Sequence, residues 1–302
     1  MTWPELACPD CRPAVPLSAE RDARLGCPNC RRGFDSLAGL RDFRPQEPRF
    51  RQFLDEYEAV REAEGRGSAS ATPVAELPWA RPGDPQAWEW YIRAASFDLL
   101  QAQLPSFGES CLRVLDLGAG TAWLSHRLSL LDHRPVAIDL SAHPRHGLAA
   151  AEALEPGFPR LLADYDRLPL ADGQADLAIF NASLHYSPDL QGSLLEARRV
   201  LRPAGAVIVM DSPIYRSQAA GERMVAARKE DYLRRYGFAS DALGAREFLL
   251  ASELLDLGRA CALEWTWMQA EYGLSWRLHR LRRRLATGRE SAEFALLVGR
   301  PA

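Results

Sequence analysis

Short apolar runs, each closed by a polar residue, recur through the middle of the chain and predict buried strands. The first, Val114, Leu115, Asp116 and Leu117, runs into the turn Gly118-Ala119-Gly120, and an amphipathic segment follows. This pattern predicts a buried strand feeding a helix N-terminus, with glycines that let a ligand reach the backbone. Further runs cover 136–140, 161–165, 176–181 and 206–210, and bring Asp139, Leu140, Asp164, Tyr165, Asn181 and Asp211 to their C-terminal ends. Such strands predict a parallel sheet with one functional edge. Helical spacing of Phe50, Phe53, Leu54, Tyr57 and Val60 predicts a helix over 48–63. Trp88, Ile92, Ala95 and Leu99 predict another over 88–103. Between them lie a Gly/Ser-rich break at 65–73 and a proline-rich loop at 78–85. Helices are expected near 218–236 and 245–257, then an apolar stretch at 261–268 and a last strand at 293–298. Leu274, Leu278, Leu281 and Leu285 give 277–285 one apolar face, with arginines opposite.

The chemistry of the N-terminus is set by four cysteines. Cys8-Pro9-Asp10-Cys11 and Cys27-Pro28-Asn29-Cys30 place two thiols on each of two tight turns, a spacing suited to tetrahedral Zn2+. Four protein ligands leave no open position, so the metal is expected to be structural. A segment this small lacks a sizeable core, and metal binding would supply its folding energy. Its place well before the glycine turn predicts a separable module. Cys111 and Cys261 each adjoin an apolar run and read as buried core thiols.

The spacing around the glycine turn narrows the ligand. A dinucleotide fingerprint needs Gly or Ala three residues after the second glycine, and that position is Trp123. The pattern from Asp116 through Gly118 and Gly120 to Ala122 instead resembles the first motif of class I S-adenosylmethionine-dependent methyltransferases, of the type 11 kind. An acid 19 positions after Gly120, Asp139, suits a ribose diol. The ordered set of later motifs extends the resemblance from about residue 110 to the C-terminus. The four-cysteine segment, followed by Arg31-Arg32-Gly33-Phe34-Asp35, resembles the zinc ribbon heading bacterial ribosomal RNA guanine methyltransferases.

The resemblance implies an α/β, Rossmann-like, seven-stranded sheet whose last strand is antiparallel. It implies a zinc ribbon over 1–45, a helical segment and lid over 46–109, and a methyltransferase domain over 110–302 with an insertion at 212–290. It assigns Asp116 and the backbone of Gly118, Ala119 and Gly120 to the amino-acid end of the cofactor. Asp139 would take the ribose hydroxyls, Leu140 would pack on adenine, and Asp164 with Tyr165 would meet the adenine edge. Asn181 and Ala182 would face the methyl group. In such enzymes the preceding helix covers the cofactor, so Trp88, Tyr91 and Arg93 either line the pocket, with Arg93 on the methionine carboxylate, or serve as core aromatics with a solvated arginine. His185 is a candidate general base toward a hydroxyl, the alternative being a structural histidine. Tyr186, Asp211 and Tyr215 are further pocket candidates. Asn181-Ala182-Ser183-Leu184-His185-Tyr186 departs from the Asn/Asp-Pro-Pro-aromatic pattern of adenine amino-group methyltransferases, which argues against that acceptor.

Charge separates the acceptor classes. The 302 residues carry 37 basic and 40 acidic side chains, a net charge of −3, so no global field favours nucleic acid. Residues 1–50 hold eight arginines against seven acids, short of the basic excess of an RNA-gripping module. The leading expectation is therefore methyl transfer to oxygen or carbon of a small molecule, with S-adenosylmethionine as cofactor and structural Zn2+. The alternatives are a ribosomal or transfer RNA methyltransferase using the 277–284 arginines, and a non-catalytic cofactor-fold protein whose ribbon binds a partner. The chain lacks a long apolar run and a basic-then-apolar N-terminus, which predicts a cytoplasmic protein without a membrane span.

Overall fold

The computed structural model describes residues 3–19, 24–108, 111–273, 276, 278 and 290–302. The four-cysteine segment forms a small antiparallel sheet of β1 (Ser18–Ala19), β2 (Leu25–Gly26) and β3 (Gly33–Phe34). A tight hairpin follows, β4 (Ser36–Leu37) and β5 (Leu40–Asp42), and then helix α1 (Pro48–Ala63). Helix α2 (Ala87–Gln103) leads into the glycine-turn strand β6 (Arg113–Leu117) and α3 (Trp123–Leu130). The sheet continues with β7 (Arg134–Asp139), β8 (Arg160–Leu162) and β9 (Ala175–Asn181), then α4 (Leu190–Val200) and β10 (Leu201–Met210). A short pair, β11 (Ile214–Tyr215) and β12 (Leu249–Leu250), flanks α5 (Gln218–Tyr236). Helix α6 (Ala251–Ala260), β13 (Leu263–Met268) and β14 (Leu296–Pro301) complete the fold.

One nine-stranded sheet has the order β13-β14-β10-β9-β6-β7-β8-β5-β4. The pairs from β10 across to β5 are parallel, and β14 runs antiparallel between β10 and β13. Reading β13 through β8 gives the seven-stranded Rossmann-like sheet expected from sequence. Its strands are apolar on both faces because helices cover both. Leu115, Leu117, Ile138 and Phe180 pack toward α4 and α6, whereas Val114, Leu177, Ile179 and Ile208 pack toward α2 and α3.

Three element boundaries expected from sequence need correction. The insertion is shorter than 212–290, because α6 packs on the sheet and β13 belongs to it: the stretch at 263–268 is an edge strand paired along its length with β14. The helix expected at 245–257 begins only at Ala251, since Leu249 pairs with Ile214 in a strand. The last strand starts at Leu296 rather than 293.

The four-cysteine segment is built into the sheet. Arg41 and Asp42 of β5 pair in parallel with Leu161 and Leu162 of β8. The Ala7 N–H donates to the Pro169 carbonyl at 3.0 Å, and Ala171 N–H donates to Glu5 at 3.0 Å. Cys8, Cys11, Cys27, Phe34 and Phe43 share one core with Leu161, Leu168 and Leu170. This segment therefore closes its core on the main domain rather than on itself. Cys261 is buried as expected, but Cys111 is exposed, in the loop just before β6. Among the described residues no helix is long and apolar enough to cross a membrane. The basic segment at 277–285 lies outside the described residues except for Leu278.

Candidate active site

The functional edge is organised by the turn after β6. Gly118 N–H and Ala119 N–H both donate to the Ile138 carbonyl, at 2.9 and 3.0 Å, which folds the chain sharply off the sheet. Gly118 has φ +74°, and a Cβ there would lie 2.4 Å from Ser183 Cβ, so the position excludes any side chain. Asp139, at the end of β7, locks the turn from the other side. Its carboxylate accepts Gly120 N–H and Ser141 N–H, each at 2.8 Å, which leaves it fixed at the edge. Burial raises its pKa, and these amide donors work against that.

Two neighbouring cavities open along this edge and share Tyr57, Gly118 and Ala182. The smaller, about 80 Å³, is floored by Asp139, Leu140, Asp164 and Tyr165 and roofed by Phe50, Phe53, Leu54 and Tyr57 of α1. Asp164 accepts Asp166 N–H at 3.1 Å, and the Tyr165 hydroxyl donates to the Ser183 carbonyl at 3.1 Å. The larger, about 440 Å³, runs from Gly118, Ala119, Gly120 and Asn181 to Trp90 and Arg93 of α2 and Arg61 of α1. The buried Asn181 Oδ1 has no hydrogen-bond partner among the described residues. The Arg93 guanidinium lies 4.9 Å over the Trp90 ring and makes no hydrogen bond among the described residues.

The sequence-predicted site residues thus gather at one edge, with exceptions. Asp116 lines neither cavity. Strand alternation turns it toward α3, where one carboxylate oxygen accepts Ser125 N–H at 3.2 Å and the Ser125 hydroxyl at 2.8 Å. Complete burial pushes its pKa up to about 7. His185 is also turned away from the cavities: it is buried with Nδ1 3.1 Å from Ser212 Oγ, and burial lowers its pKa to about 3. Trp88 and Tyr91 stack on each other, and the Tyr91 hydroxyl donates to the Tyr272 carbonyl at 2.6 Å, so they secure the C-terminal segment. Tyr186 lines the smaller cavity, whereas Asp211 accepts the Ser96 hydroxyl at 2.6 Å and Tyr215 packs on Phe248. The apolar stripe of α1 by itself did not show this placement, because a stripe that roofs a cavity reads like one that packs on a core; only the expected lid over 46–109 pointed to it.

At the N-terminus the four cysteine sulfurs converge, all within 4.8 Å of one another. Cys8 and Cys30 sulfurs are 3.7 Å apart, as are those of Cys11 and Cys27, and Asn29 Nδ2 donates to the Cys11 sulfur at 3.3 Å. No disulfide joins them.

Comparison with known proteins gives this edge a family context. Residues 115–209 match the family model described as "Methyltransferase domain". A malonyl-[acyl-carrier protein] O-methyltransferase from Hahella chejuensis is 34% identical over 127 residues, 38% of this chain and 45% of that protein. The chain spans under half the length of the curated relatives it matches. Among solved structures, the Burkholderia thailandensis 1,6-didemethyltoxoflavin-N1-methyltransferase, with bound S-adenosylhomocysteine, superposes with TM-score 0.52 at 18% identity, covering 90% of this chain and 96% of that one. The [4+2]-cyclase SpnF superposes at 0.55 with 17% identity, covering 83% and 94%. These likenesses establish the fold, and the fold alone hosts more than one chemistry. Residues 115–209 are therefore similar to a methyltransferase domain, and they lie in a Rossmann-like fold shared with these solved structures.

Proposed function

We propose that this protein is an S-adenosylmethionine-dependent methyltransferase acting on a small molecule. The observation that carries the reading is the ordered edge itself: the Gly118–Gly120 turn, Asp139 and Asp164 stand side by side along two joined cavities. The residues fit the cofactor. The smaller cavity offers Asp139 for a ribose diol, Leu140 for an adenine face and Asp164 for an exocyclic amine. The larger offers the unpartnered Asn181 oxygen for an ammonium and Arg93 for a carboxylate. When bound, the cofactor supplies an already activated methyl group on a sulfonium. The protein's part is to align the acceptor on that methyl and to exclude water. The size of the larger cavity, about 440 Å³ between α1, α2 and the glycine turn, supports a small acceptor.

The four cysteines fit a structural zinc. A tetrahedral site with Zn–S bonds of about 2.3 Å places sulfurs about 3.8 Å apart. The two pairs at 3.7 Å match that edge. Elemental analysis of reduced, purified protein tells neutral thiols from metal-bound thiolates, and one zinc per chain is expected.

The functional test is cofactor binding. S-adenosylmethionine and S-adenosylhomocysteine are expected to raise the melting temperature, and NAD to leave it unchanged. Asp139→Ala should weaken S-adenosylhomocysteine at least tenfold by calorimetry, because it removes the diol acceptor and strands the Gly120 and Ser141 amides. Wild-type affinity in that variant would overturn the placement of the ribose.

A further inference from the structure

Two guanidinium groups in the larger cavity lack hydrogen-bond acceptors among the described residues. Arg93 is one. Arg61, in the last turn of α1, is the other: its guanidinium lies 4.5 Å over the Tyr57 ring and makes no hydrogen bond among the described residues. Its ion pair with Glu64 is 3.7 Å long, beyond hydrogen-bond reach. The remaining arginines along the wall are engaged. Arg66 is held by Glu64 at 2.8 Å and Glu89 at 2.9 Å, Arg81 is held by Glu76, and Arg145 by Glu62. Those glutamates do not line the cavity. Asp84, a carboxylate that does line it, is satisfied by Thr72 N–H at 2.6 Å and Gln86 N–H at 2.8 Å.

Each guanidinium presents five N–H donors in a rigid plane matched to carboxylate or phosphate. Water in the open cavity would satisfy them in the free protein. A ligand that fills the cavity displaces that water and must replace its hydrogen bonds, or the buried charge is left costly. The methionine carboxylate of the cofactor answers Arg93. Arg61, paired with Glu64 only at 3.7 Å, keeps its donors for a second anion, and the Tyr57 ring beneath it holds the guanidinium plane in place.

We propose that the methyl acceptor carries an anionic group, a carboxylate or a phosphate, received by Arg61. This rests on the methyltransferase reading and names its substrate class. The acceptor's anion sits at the α1 wall while the atom to be methylated reaches toward Ala182 and Gly118, which both cavities share. An acceptor bearing only positive charge is disfavoured by the guanidinium wall.

The test uses the full chain saturated with S-adenosylhomocysteine. Inorganic phosphate and succinate are titrated by thermal shift against potassium chloride of equal ionic strength, in wild type, Arg61→Gln and Arg61→Lys. Wild type should respond to at least one probe beyond the chloride control. The Gln variant should bind that probe at least tenfold more weakly, and Lys should fall between. S-adenosylhomocysteine affinity in Arg61→Gln should stay within about twofold of wild type, which also shows that the variant is folded. The tighter probe distinguishes carboxylate from phosphate. No response in wild type, or an equal response in Arg61→Gln, overturns the inference. A tenfold loss of S-adenosylhomocysteine in Arg61→Gln also overturns it, by giving Arg61 to the cofactor. Failure of wild type to bind S-adenosylhomocysteine is a different result: it defeats the methyltransferase reading and this inference with it.

Discussion

At the scale of single residues, Asp116 shows how one position of strand register separates a sealed acid from one that lines a cavity. Asp139 ends its strand and reaches the cavity, whereas Asp116 stops one residue short of the strand end and is sealed beneath α3. Its pKa, raised to about 7 in the folded protein from an ordinary 3.8, gives stability a testable dependence on pH. The folded state binds the extra proton more tightly than the unfolded chain. Its stabilising contribution is therefore full below about pH 4 and lost as pH rises toward 7. Asp116→Asn mimics the protonated form, so the variant should gain stability relative to wild type as pH rises across that window. A tenfold change in proton affinity is worth about 1.4 kcal/mol, so a difference of a few kcal/mol is the upper bound. Urea unfolding of both proteins from pH 4 to 8 measures it, and parallel curves would remove the buried-acid account. Neither this burial nor the orientation of His185 was legible from sequence, because residue type and spacing do not say which way a side chain turns. Asp139, Leu140, Asp164, Tyr165, Asn181 and Ala182 were legible, because strand ends in a parallel sheet are forced to one edge.

Among the elements, α1 departs most from its sequence reading. Its boundaries follow from the spacing of Phe50, Phe53, Leu54, Tyr57 and Val60, and the helix runs over the residues expected. Its task depends on what it covers. Phe53 is half-buried, 5.4 Å from the Tyr57 ring and 6.3 Å from Tyr186, on the roof of the smaller cavity. Phe53→Ala should weaken S-adenosylhomocysteine about tenfold, matching roughly 1–2 kcal/mol of apolar burial withdrawn from the ligand. The melting temperature of the free protein should move little, since Phe53 is only partly covered before ligand arrives. Calorimetry and thermal melts of the same sample decide the point: a large drop in melting temperature with unchanged affinity would return Phe53 to the core. β13 shows the opposite difficulty. Leu263-Glu264-Trp265-Thr266-Trp267 alternates apolar and polar residues with a strand's period, but it is read only as part of an apolar stretch until pairing with β14 resolves it.

For the whole molecule, the continuity of the sheet changes what the four cysteines control. β5 extends the sheet beside β8, and Arg44 just past its end is held by Asp42 while donating to the Leu140 carbonyl at 3.2 Å. The chain then enters α1, so the N-terminal segment braces both the floor and the roof of the smaller cavity. Cys8→Ser should therefore lower the melting temperature and weaken S-adenosylhomocysteine together, by several-fold or more. A separable module would lose its own fold and leave cofactor affinity at the wild-type value, and that outcome would falsify the bracing role. Sequence by itself determined the elements and their chemistry: apolar runs, the Gly118–Gly120 turn, the order of the carboxylates and the paired cysteines are all local patterns, written within a few residues of one another. Only the tertiary structure decided that the cysteine segment joins the sheet, that α1 roofs the site, that Asp116 and His185 turn inward, and that Arg61 and Arg93 face one cavity. Each of those depends on contacts between distant parts of the chain, and the free energy of such contacts leaves no periodicity in the sequence to read.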